Sequence, residues 1–308
     1  MLMSMTGFGK RVIENNDILR VMAITFDYQG DWEDINVFYQ GLGGRHYEHL
    51  VYETLASQYY NKKYYKSGAS TLRAFVKRYP NDVLAPDFYQ RIITGYEKAG
   101  YSTLLRKHKK FFVNTYGVEG MYWNLHGLAV RETIKPVLAD YIWDLARFNH
   151  AWGQRIKKKS EKNARLQDAI DWYSEYIRSF PNANDTAKAH FLLAEVAYQM
   201  RQYPLAKDHY EIVAYQYPKY EKASEAGYAA ILTYSKHKPL KSDKAIWRQL
   251  TVASAMRFSQ EFPSDSRRGQ VLVNTAEMLL TDKYYEQALM TAKLAESAEG
   301  ELSVRHEY

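Results

Sequence analysis

The chain has 308 residues, 46% of them hydrophobic and 25% charged, a balance that excludes disordered and collagen-like classes and suits one large or two ordinary globular domains. Formal net charge is +7, a modest bias toward acidic partners that also serves plain solubility. There is no cysteine, so disulfides, thiolate metal sites and a cysteine nucleophile are excluded, and no run of apolar residues is long enough to span a bilayer.

Taken in order, residues 1–46 read as an N-terminal segment and capping helices. The opening MLMSMTGFGKRVIENN lacks an apolar core of the kind a secretory signal needs. Helices are predicted from Asp17 to Tyr28 and from about Asp31 to Gln40, followed by the turn GLGGRH. Gly41, Gly43 and Gly44 lack the preceding strand and the spacing of a dinucleotide cradle, so they read as an inter-helix turn. Residues 47–117 contain helical hairpins: Tyr52, Leu55, Ala56, Tyr59, Gly68, Leu72 and Phe75 fall at helical spacing before Pro80. Residues 118–165 do not repeat; they hold a glycine-bounded turn and a long helix from about Ile134 to Lys159, with Pro136 in its first turn.

Hairpins resume over 166–308. Asn184 and Asp185 are candidate N-caps, Pro204 fits a first turn, and Pro218 ends a helix. Ala169, Tyr173, Tyr176, Phe180 and Pro181 recur 37 residues on as Ala206, Tyr210, Val213, Tyr217 and Pro218. Leu272, Ala276, Leu279, Tyr285, Ala288 and Ala292 trace the motif again. The basic loop His237–Asp243 is an insertion within one hairpin, and the closing SVRHEY follows a helical pattern without a polar cap, which suggests a chain that continues. A hairpin repeat of about 34 to 40 residues predicts an all-α chain, an α-solenoid with an irregular central long helix.

These spacings resemble the tetratricopeptide repeat (TPR). Leu193-Ala194, Ala206, Tyr210 and Pro218 carry the match, and Leu55-Ala56, Tyr59, Gly68 and Pro80 repeat it; five such hairpins can be traced between about 47 and 299. The run from Phe180-Pro181 through Leu193-Ala194, Tyr198, Tyr203, Ala206, Tyr210, Tyr217-Pro218, Ala223, Ala226 and Tyr228 resembles bacterial envelope TPR proteins of the outer-membrane β-barrel assembly lipoprotein and Tol–Pal coordinator class. That resemblance implies a periplasmic scaffold; without a catalytic constellation, and without the Lys/Asn clamp that grips a C-terminal carboxylate in chaperone-type repeats, the expected role is non-catalytic binding of an extended peptide or a helix of a partner. With no signal and no lipidatable cysteine in view, the cytoplasm is the alternative. In TPR proteins the exposed positions of each first helix line a concave face. Carried over, they are Leu50, Glu53, Ser57 and Tyr60, then Asp87, Gln90, Thr94 and Glu97, then Lys188, Phe191, Glu195 and Tyr198, then Tyr228 and Leu232. The same rings could instead pack against the next repeat.

No catalytic residue, cofactor or metal site is expected. His46 and His49 flank Glu48 at a spacing that can share a helix face, but a zinc site needs further ligands that the sequence does not offer. His190 occupies a position where a large core side chain packs. The competing function is nucleic-acid association through the basic runs Arg106–Lys110 and Arg155–Lys159. Both lie on predicted helices and read more simply as solvated faces.

Overall fold

A computed structural model describes residues 17–28, 32–237, 240 and 243–306. Among the described residues there is no strand, and fifteen helices follow one another along the chain. The chain divides into two compact units, Met1–Leu145 and Ala146–Tyr308, each described here by itself. The division falls within the segment 118–165 that breaks the repeat pattern.

Unit 1 begins with α1 (17–28) and α2 (Trp32–Gly41). Two hairpins follow: α3 (Glu48–Asn61) with α4 (Tyr65–Arg78), and α5 (Ala85–Lys98) with α6 (Ser102–Tyr116). The short α7 (Met121–Leu125) leads into α8 (Leu128–Arg155), which runs through the boundary. Unit 2 continues with α9 (Lys159–Ser179) and three hairpins: α10 (Thr186–Gln199) with α11 (Tyr203–Gln216), α12 (Ala223–Lys236) with α13 (Lys244–Glu261), and α14 (Arg268–Thr281) with α15 (Tyr285–His306). Each helix of a hairpin packs on its partner and on the helix that follows, from α3 to α6 and from α9 to α15. Within each unit this is the all-α arrangement of consecutively packed helical hairpins expected from the repeats.

The reason lies in two recurring pieces of backbone. Within hairpins, Lys63, Gly100, Arg201 and Lys283 take the left-handed conformation at φ of 62°, 71°, 62° and 65°. The next residue's N–H then bonds back to the helix: Tyr64 to the Tyr59 carbonyl at 2.7 Å, Tyr101 to Tyr96 at 2.9 Å, Gln202 to Ala197 at 2.8 Å, Tyr284 to Leu279 at 2.9 Å. That closure satisfies carbonyls left free by the helix end. Between hairpins, the aromatic before each proline leaves the helical region: Tyr79, Phe180, Tyr217 and Phe262 all sit near φ −122° to −135° and ψ 57° to 64°. A following proline disfavours helical geometry at that residue, so Pro80, Pro181, Pro218 and Pro263 set one connector four times.

Three of the four left-handed positions carry a Cβ, which costs about 1–2 kcal/mol there. Arg201→Gly therefore raises the stability of unit 2 by about 0.5–1 kcal/mol, once glycine's extra unfolded-state freedom is subtracted. Gly100→Ala lowers that of unit 1 by about 1 kcal/mol. Urea unfolding of the two variants checks both signs.

The core of each unit is a file of small residues facing rings. Ala56, Ala69, Ala194, Ala206, Ala226 and Ala230 are fully buried, and Tyr52, Tyr116, Tyr173 and Tyr210 fill the grooves they leave. Burial pushes the Tyr52, Tyr116 and Tyr173 hydroxyls well above the ordinary phenol range, so they stay neutral.

Several expectations need correction. The central helix starts at Leu128 and ends at Arg155, so Pro136 lies in its interior, at an exposed position, and not in its first turn. Gly127, whose carbonyl accepts the Arg131 N–H at 3.2 Å, is the effective start signal. The run Arg155–Lys159 consequently straddles the break between α8 and α9 and is not one helix face. Asp185 is the N-cap of α10 but makes no side-chain cap bond; Thr186 Oγ1 donates to the Phe180 carbonyl at 2.6 Å instead. Residues 1–16, most of the loop 237–243 and the terminal Glu307-Tyr308 lie outside the described residues.

Candidate functional site

In unit 1 the residues carried over from the repeat are brought together on α3 and α5, but they divide between two jobs. Arg91 of α5 donates to Glu53 Oε1 at 2.6 Å and to Ser57 Oγ at 3.0 Å, both on α3. Tyr60, one turn on, points into the gap between α4 and α5 and donates to the Arg91 carbonyl at 3.2 Å. Gly68 on α4 and Gly95 on α5 make room for it. A Cβ on Gly68 would stand 2.6 Å from the Tyr60 ring, and one on Gly95 2.8 Å. Tyr60 is thus a wedge between hairpins, and the Glu53–Arg91 pair sets their register. Thr94 and Glu97 on α5 are exposed and Gln90 is half-buried, leaving a polar strip beside that pair.

Unit 2 places the matching residues differently. Phe191 is only 4% exposed; it packs edge-on against Tyr210 with centroids 5.9 Å apart, and the Lys222 ammonium lies over its ring at 4.8 Å. It belongs to the core and not to an exposed face. Tyr198 is half-buried against Tyr203 at 5.6 Å, because Ala206 and Thr233 stand where the wedge of unit 1 has Gly68 and Gly95. Tyr228 packs against Phe258, centroids 6.2 Å apart, and the Arg267 guanidinium sits 4.7 Å over its ring. Lys188 and Glu195 are exposed on α10, and Glu195 accepts the Tyr210 hydroxyl. Leu232 is 40% exposed on α12.

The polar groups with unusual chemistry are consumed by the fold. Glu48, 1% exposed, accepts the Arg45 N–H at 2.8 Å and the Tyr79 hydroxyl at 2.7 Å, with the Arg78 guanidinium 3.5 Å away. It closes the start of α3, while His46 is exposed and His49 half-buried beside it. Among the described residues no group of three metal-ligating side chains converges. His108 bonds the Tyr89 hydroxyl at 2.7 Å, and His190 bonds His209, Nδ1 to Nδ1, at 2.7 Å. Burial, helped by Arg73 and Lys107, pulls His108 down to about 4; burial and the neighbouring His209 do the same for His190.

The basic run Arg106–Lys110 is likewise split. His108 and Lys109 point inward, and Lys109 pairs with Asp144 of α8 beneath the Tyr141 ring. In the second run Lys158 pairs with Glu161 at 2.7 Å. Neither run presents the unbroken cationic face that a phosphate backbone needs. Among the described residues no helix is long and apolar enough to cross a membrane.

No protein-family model matches the chain, and no curated protein matches it. Among solved structures, one that the chain resembles is the crystal structure of PilW, described as a widely conserved type IV pilus biogenesis factor. The superposition has a TM-score of 0.31 at 13% identity and covers 84% of this chain and 93% of that chain, a level of likeness that says nothing about function here.

Proposed function

We propose that the chain is a non-catalytic scaffold that binds an extended peptide or a helix of a partner protein along the outward faces of its first helices, in bacterial envelope assembly. The observation that carries this reading is the division of labour on those helices. One side of each is locked into the neighbouring hairpin, and the other keeps polar and half-buried aromatic residues open to solvent: Gln90 and Glu97 in unit 1, with Glu53 at the boundary because its side chain stays 43% exposed beside Arg91, and Lys188, Glu195 and Tyr198 in unit 2. Rigid helices presenting such residues hold a partner at little entropic cost. The envelope and periplasmic setting rests on the aromatic-proline and Leu-Ala pattern of residues 180–228. Tyr60 and Phe191 drop out of the contact set as structural residues, and the half-buried Tyr228 stays in it.

Capture of partners from extracts of the source organism tests the reading. A variant carrying Gln90→Ala, Glu97→Lys and Lys188→Glu keeps its unfolding transition, since Glu97 and Lys188 are exposed and Gln90 is only half-buried, and loses bound protein about tenfold or more. Retention of the same partners at the same yield by the folded variant counts against these faces.

A further inference from the structure

We propose that copies of this chain associate head to tail, with the outer face of α1 of one copy seated in the groove between α14 and α15 of another. The groove has a volume of about 550 Å³ and is lined by Val273, Ala276, Leu280, Leu289, Ala292 and Ala295, with Glu277 and Glu296 at its margins. Leu280 and Leu289 are 56% and 59% exposed.

The chain itself shows what such a groove takes. The left-handed turns at Arg201 and Lys283 put α10–α11 and α14–α15 in register, so Val273, Ala276, Ala292 and Ala295 stand where Phe191, Ala194, Tyr210 and Val213 do. In the earlier hairpin those four are buried, and the helix that packs on it is α12, which brings the small residues Ala223, Ala226 and Ala230. The later hairpin has the same face with the volumes inverted: valine replaces Phe191, and alanine replaces both Tyr210 and Val213. A helix that fills it needs bulky apolar side chains where α12 has alanines.

Helix α1 offers them. Its inner side is held by Ala23 and Phe26, both buried. Its outer side carries Ile18, Val21, Ile24 and Tyr28, at 57%, 62%, 37% and 88% exposure, on one arc of the helix. A helix apolar on both faces is one that packs on both. Its twelve residues span about 18 Å, the same length as the twelve-residue stretch of α15, Tyr285 to Glu296, that lines the groove. Arg20, exposed beside the stripe, faces a groove whose margins are acidic. The two surfaces are different patches, so the contact is heterologous and can propagate into rings or filaments.

Sedimentation velocity on the full chain over a wide concentration range tests this. The unmodified protein shows mass rising beyond the monomer with concentration. Val21→Glu removes the knob and Leu289→Glu blocks the groove; each raises the dissociation constant about tenfold or more while the thermal transition stays put. A 1:1 mixture of the two variants regains one intact contact and forms a heterodimer that grows no further. A wild-type chain that stays monomeric throughout, variants that associate as before, or a mixture that stays monomeric each overturn the proposal. Leu280→Glu, on the other wall of the groove, repeats the Leu289 result if the groove is the seat and leaves association unchanged if it is not.

Discussion

Gly68→Ala destabilises unit 1 by about 1–3 kcal/mol, and Gly95→Ala does so by a similar amount. On an ordinary helix surface the same change stabilises by up to about 1 kcal/mol, because alanine is the better helix former. The sign reverses here because the Tyr60 ring already occupies the space: a methyl at Gly68 would meet its Cε1 at 2.6 Å, one at Gly95 at 2.8 Å. The ring has little freedom to move. Its hydroxyl is bonded to the Arg91 carbonyl, it packs against Tyr65, and burial raises its pKa far enough that the hydroxyl never ionises near neutrality. The decisive comparison is the double variant. Tyr60→Ala removes the obstacle, so Gly68→Ala becomes neutral or stabilising in that background, a coupling of about 1–3 kcal/mol. A stabilising Gly68→Ala in the wild-type background would show that the hairpins of unit 1 do not meet across this ring.

Acid weakens both units before most carboxylates titrate. His108 in unit 1 and His190 in unit 2 each have a folded-state pKa of about 4 against an ordinary value of 6.5. His150 and His209 are shifted the same way by burial. A group whose pKa is depressed on folding leaves the unfolded chain holding more protons between the two values. Stability is therefore full above about pH 6.5 and falls as the pH drops toward 4. At pH 5 the most shifted histidine of each unit removes about 2 kcal/mol from that unit, against the 5–15 kcal/mol of a typical domain. Asp27 and Asp265, held low by Lys62 and Arg267, add their share only below about pH 4. Urea midpoints measured at pH 7.5, 6.0 and 5.0 follow this decline, and His108→Gln shrinks it for unit 1. A midpoint unchanged between pH 7.5 and 5.0 would mean that these imidazoles are solvated.

The hairpins were legible in the sequence because their punctuation is local. Pro80, Pro181, Pro218 and Pro263 each force the preceding aromatic out of the helix, and a proline needs no tertiary context to do so. Small and large residues at a spacing of three and four were equally plain. The faces were not legible for the opposite reason. A repeat helix packs on its hairpin partner and on the next hairpin, so apolar and aromatic residues surround most of it and periodicity cannot say which ring faces solvent. Tyr60 and Tyr198 hold equivalent positions, and only the glycines at 68 and 95, against Ala206 and Thr233, separate a wedge from a half-exposed ring. Glycine on two neighbouring helices facing one tyrosine was the signal available. The run Arg106–Lys110 misled in a similar way: a charge count does not show that Lys109 turns inward to Asp144.

The start of α8 is ambiguous in the sequence because a proline can mark either the first turn of a helix or an interior break. Pro136 fits a first turn, but it stands exposed inside the helix, where the ladder gives up one hydrogen bond. Gly127 was the better marker.

Hydrogen exchange on the chain, free and then bound to a captured partner, tests the scaffold account most directly. The account predicts added protection confined to peptides from the first helices, residues 48–61, 85–98, 186–199 and 223–236, with the second helices α4 and α11 unchanged because they are already covered on both sides. Protection gained on α4 or α11 with none on α5 or α10, or binding with no change on any first helix, would contradict it.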